Sequence, residues 1–257
     1  MNVLELKGVN KFFHQRTADA YQALANVNLE VAEGDFVTVV GGNGAGKSTL
    51  LNVISGAIAV DDGSVLIDGD DVTRRREEDR AGLIGRVFQD PKMGTAPRMT
   101  VAENLLLAAK RGENRGLKIS MTPQRRQEFE SLVAPLGLGL ESRLDTEIGV
   151  LSGGQRQSIA LLMATLKTPR ILLLDEHTAA LDPKTARVVL DFTTRTIEEK
   201  GLSAIMVTHH LADALAMGNR MIVLNRGKIV HDFNAQEKAQ LGVGELYEMV
   251  GELEAQE

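Results

Sequence analysis

Hydrophobic positions along the chain fall into short strand-like and longer helix-like runs. Residues 3–9 (VLELKGV) and 27–31 (VNLEV) alternate apolar and polar, the period of half-buried strands. Residues 35–40 (DFVTVV), 171–174 (ILLL) and 203–208 (SAIMVT) are continuous and rich in aliphatic residues, as strands buried on both faces are. Shorter strand runs fall at 64–68, before Gly69, at 83–88, and at 220–224 and 228–230 around Asn225–Gly227. Helical signals lie between them. Residues 49–55 end at Gly56, and residues 100–110 open on the capping box Thr100/Glu103. Thr122 and Pro123 open 122–132, residues 155–167 follow a Gly-Gly pair, and Asp182 with Pro183 opens a helix running to Lys200 and Gly201. From about 235 the tail is amphipathic, with Leu241, Leu246, Met249 and Val250 on its apolar side.

Two early strands without an intervening helix predict an antiparallel flap beside a parallel core. The strand-poor stretch 90–165 predicts an inserted, mostly helical subdomain. The organisation expected is one domain over 1–257: core and flap in 1–89 and 166–235, helices in 90–165, and a helical tail in 236–257. The 112–118 connection reads as Gly-rich and polar.

Composition narrows the class. The 257 residues are 43% hydrophobic and 25% charged, ordinary for a globular protein with a real core. The net charge of −6 argues against nucleic acid as the main partner. Without cysteine there is neither a disulfide nor a thiolate metal site. No apolar run reaches the length of a membrane span, and the charged N-terminus lacks a signal segment. Residues 72–80 (VTRRREEDR) read as a solvated face.

The chemistry concentrates in a few stretches. GGNGAGKST at 41–49 fits G-x-x-x-x-G-K-[ST] between a strand and a helix. Its glycines let successive N–H groups turn toward an anion, and the helix N-terminus adds positive potential. Lys47 would reach the β- and γ-phosphates, and the Ser48 hydroxyl would hold Mg²⁺. Gln89 closes an apolar strand, where it could meet a metal or water. LSGGQ is a helix cap, through Ser152 and Gln155, or a second anion site made by its glycine N–H groups and the Ser152 hydroxyl. Asp175 could hold Mg²⁺ through water, and Glu176 could accept a proton from a water nucleophile. His209, at a strand end, is a structural residue or a donor to phosphate. Phe12 and Phe13, read as lying between the first two strands, are packing residues or a stacking surface for an adenine.

The order GGNGAGKST (41–49), RVFQDP with Gln89, LSGGQ (151–155), ILLLDE (171–176), AALD (179–182) and VTHH with His209 resembles the nucleotide-binding subunit of the ATP-binding cassette family over nearly the whole chain. The resemblance implies an α/β P-loop NTPase fold with a RecA-like core, an antiparallel β flap and an inserted helical subdomain. It implies an ATPase using ATP and Mg²⁺. Gly41, Gly42, Asn43, Gly44, Ala45, Gly46, Lys47, Ser48 and Thr49 would bind the nucleotide, with Phe13 stacking on adenine and Phe12 and Tyr21 as competitors. Ser48, Gln89 and Asp175 would serve the metal. Glu176 would be the general base, with His209 and Gln89 assisting. Ser152, Gly153, Gly154 and Gln155 would bind the γ-phosphate held by a second copy, and Asp182 would link the two sites.

The chain makes three departures from the family pattern, at four positions. Gly42 replaces the frequent proline or serine and needs only to turn. His177 stands where proline is usual and reads as a turn residue, not a catalyst. Ser158 and Met163 stand where arginines are common. DEHTAALDPKTA with LLMATLKTP resembles a group of bacterial importer ATPases assigned to tryptophan/tyrosine or related small solutes. The implied partners are a second copy, integral-membrane permease subunits and an extracytoplasmic solute-binding protein, at the cytoplasmic face of the inner membrane. The competing functions are an ABC ATPase driving assembly or envelope remodelling, and a nucleotide-binding module without hydrolysis.

Overall fold

In the computed structural model, residues 1–14, 17, 19–112 and 121–255 are described, the side chains of 254 and 255 excepted. Most of the 112–118 connection and the end of the tail therefore lie outside the described residues. The first sheet is antiparallel, in the order β2 (Tyr21–Ala32), β1 (Asn2–Phe13), β4 (Asp62–Ile67), β5 (Asp70–Asp71). It is the expected flap, with longer strands: Phe12 and Phe13 are the last residues of β1 instead of linking two strands. Pairing carries them there, because Phe12 faces Gln22 and Phe13 faces Tyr21 across the ladder.

The second sheet has the order β10 (Lys228–Phe233), β9 (Arg220–Asn225), β3 (Phe36–Val40), β8 (Ser203–Val207), β7 (Ile171–Asp175), β6 (Ile84–Val87). It is parallel from β9 to β6, and β10 runs antiparallel at the edge. Its central strands bury both faces, and the two-residue period divides their side chains. Val37, Val39, Ile171 and Leu173 join the core beneath the flap and α1 (Lys47–Ser55). Phe36, Leu172 and Leu174 join a second core against α5 (Gly153–Thr165) and α6 (Pro183–Lys200).

The short α2 (Glu77–Arg80) precedes β6; between β6 and β7, α3 (Val101–Ala109), α4 (Pro123–Val133) and α5 pack around a third apolar cluster with Leu105, Phe129, Leu144 and Ile159. The capping box predicted at Thr100 forms, with Glu103 N 3.2 Å from Thr100 Oγ1. At the end of the chain α7 (Leu211–Ala216), α8 (Ala235–Gln240) and α9 (Val243–Ala255) cover β3 and β9. Lys238 fixes α8 there: its buried ammonium donates to the carbonyls of Met217 and Gly218 and to Thr38 Oγ1, and burial lowers its pKa to about 8.

One expectation fails in the 72–80 stretch. Arg80 is not on a solvated face but 2% exposed. Its guanidinium donates to Val53 O (2.9 Å), Ile54 O (2.7 Å), Arg75 O (3.0 Å) and Thr73 O (3.2 Å). The last carbonyls of a helix have no partner within it, and a buried cation there satisfies them while meeting the negative end of the dipole. The helix served is α1, whose other end carries Lys47 and Ser48.

Candidate functional site

Adjacent strands β3, β8 and β7 end together, so the segments that follow them share one edge of the sheet. Ligands bind at such carboxyl ends in open α/β sheets. The glycine loop leaves β3, His209 follows β8, Asp175 and Glu176 end β7, and Gln89 follows β6 on the next strand out. A cavity of about 200 Å³ opens there, bordered by Tyr21, Asn43, Ser48, Thr49, Glu176 and His209 among others.

The loop is a cradle of backbone. Gly41 has φ +150°, and a Cβ there would collide with the carbonyl oxygen of Leu224. Gly42 does not adopt the left-handed region, in keeping with its reading as a turn position. Lys47 is 5% exposed and its ammonium curls onto the loop, donating to Gly41 O at 2.6 Å and Gly42 O at 2.7 Å.

Glu176 sits in the left-handed region at φ +46°, a conformation that costs a non-glycine residue about 1–3 kcal/mol. Its N–H donates to Val207 O at 3.0 Å, which holds the turn against β8. Its carboxylate oxygen Oε1 meets His209 Nε2 at 2.6 Å. Carboxylate and imidazole thus form a pair at the cavity wall. Asp175, one residue back, instead meets the Arg86 guanidinium at 3.4 Å.

Ser152 caps α5: its Oγ accepts from Gln155 N, and Gln155 Oε1 accepts from Ser152 N at 3.1 Å. The cap and an anion site are compatible, because the capping hydroxyl keeps its own proton to donate. Gly154 is required by packing, since a Cβ would collide with Thr185 Cγ2 of α6. Asp182 caps α6 through Thr185 N at 3.1 Å, and the hydrogen bonds from Thr185 hold its carboxyl below the usual range.

The stacking surface is shared. Phe13 and Tyr21 lie ring on ring, with centroids 5.4 Å apart, and it is Tyr21, not Phe13, that borders the loop cavity. Phe12 lies outside the stacked pair and 37% exposed.

His177 is a turn residue as read, but a buried one, 2% exposed. Its Nε2 lies 3.0 Å from Thr193 Oγ1, whose hydroxyl donates to Val189 O at 2.8 Å. The hydroxyl oxygen therefore accepts, and His177 is neutral with its proton on Nε2. Burial lowers its pKa from 6.5 to about 4. The unfolded chain takes up this proton first, so the group's contribution to stability is complete above pH 6.5 and is lost as pH falls toward 4. Between pH 7 and pH 5 the parent should lose about 2 kcal/mol more unfolding free energy than His177→Gln, whose amide can still donate to Thr193. Urea titrations at the two pH values measure this; equal losses would contradict it.

Two participants escaped the sequence reading, Arg86 and Gln157; Tyr21, the wall of the cavity, entered it only as a competitor to Phe13. Arg86 had a signal, a charge inside the apolar run 83–88. Gln157 had none.

Among the described residues, no group of three His, Asp or Glu side chains is placed to hold a metal, and no helix is long and apolar enough to cross a membrane. An ion here would rest on a few hard oxygen donors completed by phosphate and water, the habit of Mg²⁺. The hydroxyl, amide and carboxylate of Ser48, Gln89 and Asp175 are of that kind.

A glycine cradle before α1, an acid pair after β7, a histidine after β8 and a capped Gly-Gly helix on an inserted helical unit define an ATP-binding cassette. The ABC transporter family model matches residues 24–179. The tyrosine transport ATP-binding protein of Clostridioides difficile is 42% identical over 96% of this chain and 98% of its own length. A phosphonates import ATP-binding protein of Oceanobacillus iheyensis is 32% identical over 90% of each chain. A spermidine/putrescine import ATP-binding protein of Vibrio cholerae is 34% identical over 91% of this chain, which spans 58% of that protein. Among solved structures, a dimeric post-hydrolysis cassette bound to ADP and Pi superposes with TM-score 0.77 at 32% identity, covering 90% of this chain and 98% of that one. A nucleotide-free cassette gives TM-score 0.80 at 26% identity over 99% of both. The chain belongs to the ABC transporter family, as an ATP-binding subunit with the P-loop NTPase fold and ATPase activity.

Proposed function

We propose that this chain is the energy-coupling ATPase of a bacterial importer for a small organic solute of the amino-acid class. The observation that carries the reading is the 42% identity with a tyrosine transport ATP-binding protein over nearly the whole length of both chains. Import is also in the names of the polyamine and phosphonate relatives. The subunit would sit at the cytoplasmic face of the inner membrane, docked on permease subunits served by an extracytoplasmic solute-binding protein. Co-expression with the neighbouring genes tests this. A polytopic membrane protein should co-purify, and vesicles holding the complex should accumulate an aromatic amino acid only with ATP and the binding protein. A chain that stays out of the membrane fraction under those conditions would be no importer subunit.

In this reading residues 41–49 wrap the phosphates, and Lys47 exchanges the carbonyls of Gly41 and Gly42 for phosphate oxygens. Tyr21, backed by Phe13, faces the adenine. Bound Mg²⁺, held beside Ser48, Gln89 and Asp175, would neutralise phosphate charge. Glu176 takes the proton of the attacking water and His209 orients it, which suits a reaction that needs positioning and charge stabilisation more than covalent chemistry. The exposed Ser152 and Gly153 and the half-buried Gln155, with buried Gly154 supporting the turn, would close the site of a second copy, and Asp182 would lie between the two. The dimeric relative supports that assembly. The ATPase rate per subunit should therefore rise with protein concentration and level off as dimers fill. A rate per subunit independent of concentration, with the chain monomeric, would rule out the shared site.

A further inference from the structure

Arg86 is placed in β6 three residues before Gln89, where a strand buried on both faces has no ordinary use for a charge. It is 11% exposed. Its NH2 meets Asn52 Oδ1 at 2.7 Å and Asp175 Oδ2 at 3.4 Å, and its NH1 meets Ser55 Oγ at 3.1 Å. Glu77 stands 4.0 Å away, and Nε is buried without an acceptor. The guanidinium carbon lies 4.5 Å from the centroid of the Phe88 ring, a cation–π contact with the neighbour of Gln89. From the other side Gln157 of α5, 1% exposed, donates to Phe88 O at 3.1 Å. Phe88 is thus gripped twice: by its ring from the core and by its carbonyl from the signature helix.

We propose that Arg86 is a positioning residue for ATP hydrolysis, locking the Asp175 carboxylate to the Phe88 ring so that the metal-side groups and the signature helix hold one geometry. The inference rests on the reading of Asp175 and Gln89 as metal-side groups. The planar fork is what the bridge needs: it reaches Asn52, Ser55 and Asp175 with its edge and offers its face to Phe88. A lysine ammonium is a single point of charge and cannot do both. The grip on Phe88 fixes where the chain leaves β6, and hence where Gln89 starts. Phe88 O in turn sets the distance between β6 and the helix that begins at Ser152.

Arg86→Lys, Phe88→Leu and their double variant test the bridge through steady-state kinetics at saturating Mg²⁺. Arg86→Lys should lower kcat roughly tenfold or more, leave KM for ATP within about twofold, and keep a cooperative unfolding transition. Phe88→Leu should show the same split, and the double variant should be no worse than the poorer single one, because both remove one contact. Gln157→Met, which leaves the Arg86 guanidinium and its partners in place, should repeat the kcat loss and serves if Arg86→Lys fails to fold. A parent-like kcat in Arg86→Lys, multiplicative losses in the double variant, or kcat falling only with the folded fraction would each overturn the proposal. Asp175→Asn separates the layers. If it leaves hydrolysis and its Mg²⁺ dependence intact, the reading of the metal side fails and the inference falls with it; if it cripples hydrolysis while Arg86→Lys does not, only the inference fails.

Discussion

Glu176→Gln should lower kcat by about 10²–10⁴-fold while ATP binding survives, the range by which a positioned general base contributes. The amide keeps the shape of the side chain and an oxygen for the His209 Nε2 contact now made at 2.6 Å. It keeps the φ +46° turn and the Val207 hydrogen bond, which belong to the backbone. Only the capacity to take a proton is lost. ATP that closes two subunits but is not cleaved should hold them closed, so the variant should elute as a dimer with ATP and as the parent does without it. Phosphate release and size-exclusion chromatography measure the two halves. Turnover within a few-fold of the parent would remove Glu176 from the chemistry and leave proton acceptance to another group.

Arg80→Met should cost roughly 3–5 kcal/mol of stability, the penalty for breaking a buried, multiply bonded charge. The loss arises from what stays behind. Ile54 O loses the guanidinium in a buried place, Val53 O keeps only the Gly56 N–H, and Thr73 O and Arg75 O lose it at the part-buried rim, where methionine offers nothing to any of them. In a domain of this size that is a fall of roughly 6–20 °C in unfolding temperature. Arg80→Lys should recover only part, since one ammonium cannot reach four carbonyls spread over two segments. Because α1 carries Lys47 and Ser48 at its other end, nucleotide affinity should weaken in the folded fraction as well. A thermal melt within about 2 °C of the parent would mean that these carbonyls find other donors or that the pocket relaxes.

Much of the molecule was legible because its signals are local. The strand–glycine loop–helix order around Lys47, the capping boxes at Thr100 and Ser152, and the Asp182–Pro183 start with a Gly201 stop all depend on neighbours within one turn, and the elements form where the pattern put them. The errors come from contacts that cross the fold. Residues 72–80 look like a solvated run because seven charges crowd VTRRREEDR, yet the end of α1 claims Arg80. The expectation that Phe13 stacks on adenine is no error, but the motif order does not show that strand pairing sets Tyr21 against Phe13 and puts Tyr21 at the cavity. His177 was readable as a turn residue but not as a buried one, since Thr193 lies 16 residues away on the next helix.

The sequence by itself determined which segments are strands and helices, the glycine cradle of backbone before α1 and the kinds of side chain available to the chemistry. Those follow from dihedral preferences, capping and apolar period, which act over a few residues. Only the tertiary structure decided which side chains meet. Arg86 and Asp175 are 89 residues apart and Gln157 and Phe88 are 69 apart, and each pair is brought together by strand order and helix packing. The glycine loop, Glu176 and His209 share one wall because β3, β8 and β7 are adjacent in the sheet. That adjacency is fixed by burial of both sheet faces, a property of the whole chain and of no single stretch of it.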